Sequence, residues 1–410
     1  MSASITTLGE HIATQKGFAF KSGWFCDSGR PVVKVKDFTA NSVDSNEVTH
    51  VSEEIAAQYL KYQLRTGDVV IQTVGSWPSA PASVVGKCVR IPRTVDRALL
   101  NQNAVKVSPS SSLDGGFLYY SLKNPAFGEY IVGTAQGAAS QAAITLEAIR
   151  AYKINLPDLP TQRKIAGILS AYDDLIENNL RRIKILEAMA QSLYREWFVH
   201  FRFPGHESAC FIDSSLGRIP KGWEVRKILD FADVIYGFSF KANRFNTAGE
   251  GVPVVRIRNI QDGKSETYSE EEGDPKHRVK NGDILVGMDG DFHMTIWSGG
   301  DAWQNQRVAK FRPKGAMGNY LLFLALEKPI HYFDSTITGT TVAHLGDSHI
   351  KTIEFPSPPE ALMRKASDLL EPMAQEQLNL RRRNQTLRRT RDLLLPKLLA
   401  ADQNLDEARP

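Results

Sequence analysis

The residues in this chain whose spacing points most directly to chemistry are cations set two apart. Lys34 and Lys36 alternate with Val33 and Val35, and Arg256 and Arg258 alternate with Val255 and Ile257. Read as strands over 32–35 and 252–257, the alternation puts each cation pair on one sheet face, where it can meet phosphate. A solvated sheet face is the plainer alternative, but the recurrence at matching places favours phosphate. Lys21 and Lys241 close the related segments GFAFK (17–21) and GFSFK (237–241) and extend the cationic set. Two loops add side chains suited to base edges or backbone: Ser76, Trp77 and Ser79 in one, Asp289, Asp291, His293 and Thr295 in the other. Two further stretches, 133–144 and 337–350, place Thr134, Gln136, Ser140 and Gln141, and Thr338, Thr340, Thr341 and His344, beside glycines that permit close backbone approach. For the two loops, packing within the loop is the alternative; for the two glycine-containing stretches it is a tight turn back toward the long helix. Finally, 378–399 carries Arg381, Arg382, Arg383, Arg388, Arg389, Arg391 and Lys397 against one acid, Asp392. Such a stripe is either a phosphate footprint or a solvated helix face.

Enzymatic motifs are missing. Gly86-Lys87 is followed by Cys88, which rules out a Walker A sequence, and neither HExxH nor CxxC occurs. Asn124-Pro125-Ala126-Phe127 lacks the second proline of the amino-methyltransferase tetrapeptide. A helix-ending turn accounts for it and for Pro329 at the matching place. Cys26, Cys88 and Cys210 are too few and too scattered for a disulfide framework or a zinc site, which predicts a reducing, cytoplasmic setting. The net charge of +4, with 42% hydrophobic and 23% charged residues, is that of an ordinary globular protein. No apolar run reaches the ~18 residues of a membrane span, and the first residues lack a secretory pattern.

These candidates sit in a chain that is written twice. PVVKVKDF (31–38) matches PVVRIRNI (253–260), RTGDVV (65–70) matches KNGDIL (280–285), and NQNAVKV (101–107) matches NQRVAKF (305–311). With the two GF segments and the pair Pro125 and Pro329, five blocks recur in one order, the mark of an internal duplication. Both halves are predicted to be α+β and strand-rich. The Gly-Asp pairs at 67–68 and 282–283 are expected as structural turns before buried strands. The 73–87 and 288–301 loops diverge on a matched scaffold, as expected of two modules reading different targets.

Each half ends in prolines and a long helix. In the first, apolar residues at Ile165, Ile168, Tyr172, Leu175/Ile176, Ile183, Leu186, Ala190, Leu193 and Trp197 hold a 3/4 spacing. Thr161 is the expected N-cap, and a helix from Thr161 to Phe201 would be about 60 Å long. Asn179 falls in the stripe as a candidate register-setting residue, to be met near 377–384. The second helix places Ala366, Leu369, Met373, Gln377, Leu380, Asn384, Leu387, Leu394 and Leu398 at the same spacing, with Pro372 expected to kink or split it near Leu370 and Pro396 to stop or bend its end. The two helices are the natural antiparallel, coiled-coil-like partners of one another. The expected layout is a first globular domain over 1–155, a helix over 156–203, a linker over 204–222, a second globular domain over 223–355, a helix over 356–400 and a polar tail over 401–410.

The repeat, the helices and the segments LPDLPTQRKIAGIL (156–169), FRFPG (201–205), IPKGWEV (219–225) and LLLPKLLA (393–400) together resemble the specificity subunit of type I restriction-modification enzymes. The resemblance covers essentially the whole chain. ALMRKASDLLEP (361–372) departs from the QRKIA pattern of the first helix, and ADQNLDEARP (401–410) is more polar than the usual ending. The resemblance implies an α+β, pseudo-twofold fold in which two target recognition domains are separated by two long antiparallel helices. It implies a subunit that is not catalytic and binds no cofactor, reading a bipartite sequence in double-stranded DNA. It implies partners: two methyltransferase subunits and two ATP-dependent restriction subunits, which would bring S-adenosylmethionine, ATP and Mg. The helices would set the spacer, since one DNA turn is ~34 Å. Gln162, Arg163 and Asp173, and Arg382, Arg389 and Arg391, are the candidates for docking the methyltransferases. The competing readings are a stand-alone modification enzyme with cryptic motifs and a protein-binding scaffold.

Overall fold

The protein is described by a computed structural model over residues 4–78, 84–137, 141–337 and 343–400. It forms two compact units, one from residues up to Leu175 together with those from Leu387 on, the other from Ile176–Thr386. Each long helix therefore contributes one segment to each unit.

The duplication in sequence is a duplication in structure. In the first unit an antiparallel sheet runs in the order Ile12–Lys16, Ala104–Pro109, Val69–Gln72, Cys88–Arg90. In the second the order is Ala232–Tyr236, Val308–Pro313, Ile284–Gly287, Met294–Ile296. A smaller sheet accompanies each, with Arg30–Val33 parallel to Leu99–Leu100 and Val252–Val255 parallel to Ala302–Gln304. The ends of each half close on one another. Ser4–Thr7 pairs with Lys153–Leu156, and Glu224–Lys227 with Glu354–Ser357. The closing strand then leads directly into a long helix.

The matched blocks are the places where geometry leaves little choice. A Cβ on Gly17 would lie 1.8 Å from the Asn101 carbonyl oxygen, and one on Gly237 1.9 Å from that of Asn305. In the Gly-Asp turns the Asp68 carboxylate accepts the Arg65 N–H at 2.8 Å and Asp283 accepts that of Lys280 at 2.9 Å. Lys106 stands 3.5 Å from Asp68 and the buried Lys310 3.8 Å from Asp283. These turns are structural, as expected.

Several boundaries differ from the sequence reading. The strands stop at Val33 and Val255. The chain then turns into short helices, Val35–Asp37 and Ile257–Asp262, because Asp37 accepts the Lys34 N–H and Asn259 accepts the Arg256 N–H, at 2.8 and 2.9 Å. The cation pairs therefore do not share a sheet face. Local side chain-to-backbone bonds override the period-two pattern. Pro125 does separate one helix from the next, with Asn124 capping the later one, but Pro329 is carried inside a single helix, Asn319–Thr336. The stretch 204–222 contains a hairpin, Phe211–Ser214 with Gly217–Pro220.

The first long helix spans Leu159–Tyr194 and ends in a π turn, Arg195–Val199, short of Phe201. Its cap is Asp158, which accepts the Thr161 N–H at 2.9 Å, and not Thr161. The second spans Glu360–Ala400 without a break. Its buried residues, Met363, Ala366, Leu370, Ala374, Gln377, Leu380 and Asn384, keep the 3/4 spacing straight past Pro372, while Leu369 and Leu175 are exposed. Pro372 and Pro396 lie on the exposed side, as do Asp368 and Asp392 four residues earlier. The carbonyls that lose an N–H partner are thus at the solvent side of the helix, which is why neither proline splits it.

The segments pair antiparallel within each unit. In the second unit the buried Asn179 Nδ2 donates to Asn384 Oδ1 at 2.8 Å and Arg182 bonds Glu376 at 2.6 Å. The expected meeting of Asn179 with the 377–384 stretch is therefore observed. In the first unit Asp173 pairs with Arg391, and Ile165, Ile168, Leu169 and Tyr172 join Leu395 and Leu398 in one core with Phe117, Tyr120 and Phe127.

Candidate nucleic-acid interface

In the second half a cleft of about 600 Å³ gathers Arg256, Arg258, Gln261, Asp289, Asp291, His293, Asn305 and Arg307. Five of these were expected from sequence: Arg256, Arg258, Asp289, Asp291 and His293. The wall that carries the acids is the 288–293 turn between Ile284–Gly287 and Met294–Ile296. Buried Phe292 anchors it, with its N–H donating to Asp334 at 2.8 Å. His344 reaches the same turn, donating from Nδ1 to Asp289 Oδ1 at 2.6 Å. Arg307 closes the other side of Asp289, with Nε 3.1 Å from Oδ2. His293 Nε2 lies 3.7 Å from Asp291. The opposite wall is the Arg256–Gln261 turn. Arg256 lies over the Phe245 ring and donates to Thr267, while Arg258 is exposed.

The cleft thus offers guanidinium donors, two carboxylates, two amides and an imidazole within one concavity. Phosphate alone would call for cations. A mixture of donors and acceptors is what base edges in a groove require.

The first half reuses some of this plan. Lys34 lies 3.7 Å above the Phe25 ring and donates to Thr49 at 3.0 Å, as Arg256 does with Phe245 and Thr267. Burial lowers the Lys34 pKa from its ordinary value. Lys36, like Arg258, is exposed. In each pair one cation is partly committed to packing and the other is presented to solvent. Ser76 forms a bridge with Val84, Trp77 packs against the core, and the exposed Gln136 pairs through its backbone with Ala143. Trp77 is in this structure a packing residue. Thr134 bonds back to Ile131 at the end of its helix, which makes it a helix-end residue. Lys21 stands 5.3 Å over Trp24, and the Lys241 N–H donates to Glu271 at 2.9 Å; neither lines the cleft. Ser79, Ser140, Thr338, Thr340 and Thr341 lie outside the described residues.

Sequence reading missed Gln261, Asn305 and Arg307. The signal for Arg307 lay inside a matched block: NQN in the first half is NQR in the second, so an exposed position changes directly after a matched Asn-Gln pair, while the next two positions stay apolar.

The docking candidates divide. Gln162 is buried: its side chain accepts the Asp114 N–H at 2.8 Å and donates to the carbonyls of Ser112 and Pro157 at 3.1 and 2.8 Å. It fastens the long helix to the cap of the Gly115–Lys123 helix and cannot be a docking side chain in this conformation. In the second half Ser367 plays the matching role, accepting the Gly318 N–H at 2.8 Å beside the Asn319–Thr336 helix. Asp173 and Arg391 bond one another, and Tyr120 donates to Asp173 at 2.7 Å, so both are committed to the interior of the first unit. Arg381, within the expected basic stripe, is paired with Glu187. Arg163, Arg382 and Arg389 are exposed, as docking requires.

Comparison with known proteins agrees with this anatomy. The sequence profile of the type I restriction modification DNA specificity domain matches twice, at residues 4–188 and 220–387. The type I restriction enzyme MjaIX specificity subunit of Methanocaldococcus jannaschii is 25% identical over 321 residues, covering 75% of this chain and 73% of that protein. The type I restriction enzyme EcoBI specificity subunit of Escherichia coli is 32% identical over 169 residues, 40% of this chain and 36% of that one. The crystal structure of a type I restriction-modification system S subunit from M. genitalium has the same fold, with a TM-score of 0.61 at 16% identity over 98% of this chain and 96% of that one. Both copies of the matched domain include the scaffold described above, and the chain belongs to the type I restriction modification DNA specificity family.

Proposed function

We propose that each globular half reads one portion of a bipartite DNA sequence and that the long helices set the distance between the portions. The observation that carries this reading is the pairing of a repeated scaffold with side chains that differ: the same strand order and Gly–Asn contacts occur twice, while the loop after the Gly-Asp strand is rebuilt. Duplex DNA is the partner that suits both the mixed-polarity cleft and the exposed cations Lys36 and Arg258. The chain acts without catalysis of its own and without a cofactor. Two methyltransferase subunits and two ATP-dependent restriction subunits supply the chemistry, with S-adenosylmethionine, ATP and Mg held by those partners. Arg163, Arg382 and Arg389 are the remaining docking candidates on the helices. The setting is cytoplasmic; among the described residues no helix is long and apolar enough to cross a membrane.

Footprinting of the full chain with its methyltransferase tests the reading. Two protected half-sites flanking a stretch of indifferent sequence are expected. A complex that protects no bipartite site would favour a protein-binding scaffold, and methyl transfer from labelled S-adenosylmethionine by the purified chain alone would favour a modification enzyme.

A further inference from the structure

We propose that Arg307 reads a guanine in the half-site contacted by the second globular half, with Asp289 as its positioning residue. The proposal rests on the DNA-binding reading of that half and goes beyond it in naming the reader and the base.

Three observations converge on Arg307. It lies in the cleft and its side chain is half exposed, so a ligand can reach it. Its closest approach to Asp289 is through Nε at 3.1 Å, and its Nη atoms have no hydrogen-bond partner among the described residues. Asp289 is itself fixed on the far side by the His344 imidazole at 2.6 Å, and by a backbone bridge between the same two residues. The result is a guanidinium steadied at one edge whose remaining fork faces the cleft. That planar pair of donors matches guanine O6 and N7.

A phosphate contact is the competing role, and the surroundings disfavour it. The cleft is not simply cationic: Asp289 and Asp291 stand among Arg256, Arg258 and Arg307, and the Asp291 carboxylate would repel a phosphate placed beside it. A base edge carries no net charge and can supply a donor to Asp291, as the cytosine N4 amino group does. A further observation is positional. One backbone contact is shared with the counterpart in the first half: Met288 N–H donates to the Arg307 carbonyl and Thr73 N–H to that of Asn103, although Asn103 has a left-handed φ of 68° and Arg307 does not. The side chain there differs, Asn in one half and Arg in the other, directly after a matched Asn-Gln pair. An exposed residue that differs directly after a matched pair, beside a shared strand contact, is placed to alter what is read without altering the fold.

The test uses the full chain expressed with its own methyltransferase, with methylated sites mapped across a genome and the melting temperature of each complex measured. The wild type is expected to give a bipartite motif with a guanine in one half-site. Arg307→Ala should relax that one position, with a loss of discrimination of about 10- to 100-fold, and leave every other position intact. Arg307→Gln should relax it or move its preference to adenine, whose N6 and N7 suit a side-chain amide. Asp289→Asn should relax the same position and no other, an effect that general loss of stability would not produce. Methylation that falls evenly at all sites with the motif unchanged, or vanishes in both Arg307 variants, would overturn the assignment, as would changes in both half-sites. If the wild type gives no bipartite motif, it is the DNA-reading function itself that fails.

Discussion

Gln162 is the residue whose role departs furthest from its appearance in the sequence. A glutamine in a basic, polar segment reads as surface, yet it makes three hydrogen bonds to backbone from a buried position. Gln162→Ala strands those backbone groups, and chemical denaturation should show a loss of about 2–3 kcal/mol. Asp37 makes a converse point. Burial, opposed by the bond from the Lys34 N–H and by the nearby Lys36 and Lys34 charges, raises its pKa. The folded state therefore holds the proton to higher pH than the unfolded chain, and stability falls as pH rises through the window between the ordinary carboxylate value and the raised one. Asn259 does the same capping in the second half without a charge. Asp37→Asn should abolish that pH dependence and be no less stable at neutral pH; denaturation midpoints across acid pH check it. What sequence could show here was residue type and recurrence. Lys34, Lys36, Arg256 and Arg258 are legible in the sequence as positions that recur in both halves, but their directions are not, because a turn closed by Asp37 or Asn259 replaces the strand that the alternating valines suggest.

At the scale of the element, the helices were the most legible region of the chain. A 3/4 apolar spacing sustained over many turns leaves few other structures, and the polar break at Asn179 located its partner in Asn384. The ends were less legible, since Asp158 outcompetes Thr161 as a cap and a π turn ends the first helix. So was the fate of Pro372, which depends on which side of the helix faces water. The Asn179–Asn384 bond makes a specific prediction. Asn179→Leu leaves the buried Asn384 amide short of a partner and should cost about 1–3 kcal/mol, while Asn179→Leu with Asn384→Leu should recover most of it. A double-mutant cycle by denaturation measures the coupling. Equal and additive losses would mean that the pair does not act as a unit.

For the whole molecule, the duplication carries the account. Matched blocks proved to be positions where backbone crowding or a charge pair fixes the residue: Gly17 and Gly237, Asp68 and Asp283, Lys106 and Lys310. Arg307 escaped notice because its importance comes from convergence with the 288–293 turn, and no spacing along the chain records that. If the helices set the spacer, removing 177–180 together with 383–386 should shorten the indifferent middle of the target and leave both half-sites readable, as mapped methylation would show. The helices must be shortened together because Asn179 and Asn384 fix their register. The most direct test of the central claim is to exchange residues 223–355 for the same segment of another family member and map the methylated motif. One half-site of the motif should change to that of the donor, with the other untouched. A motif altered in both half-sites, or in neither, would contradict the reading of each half as an independent reader.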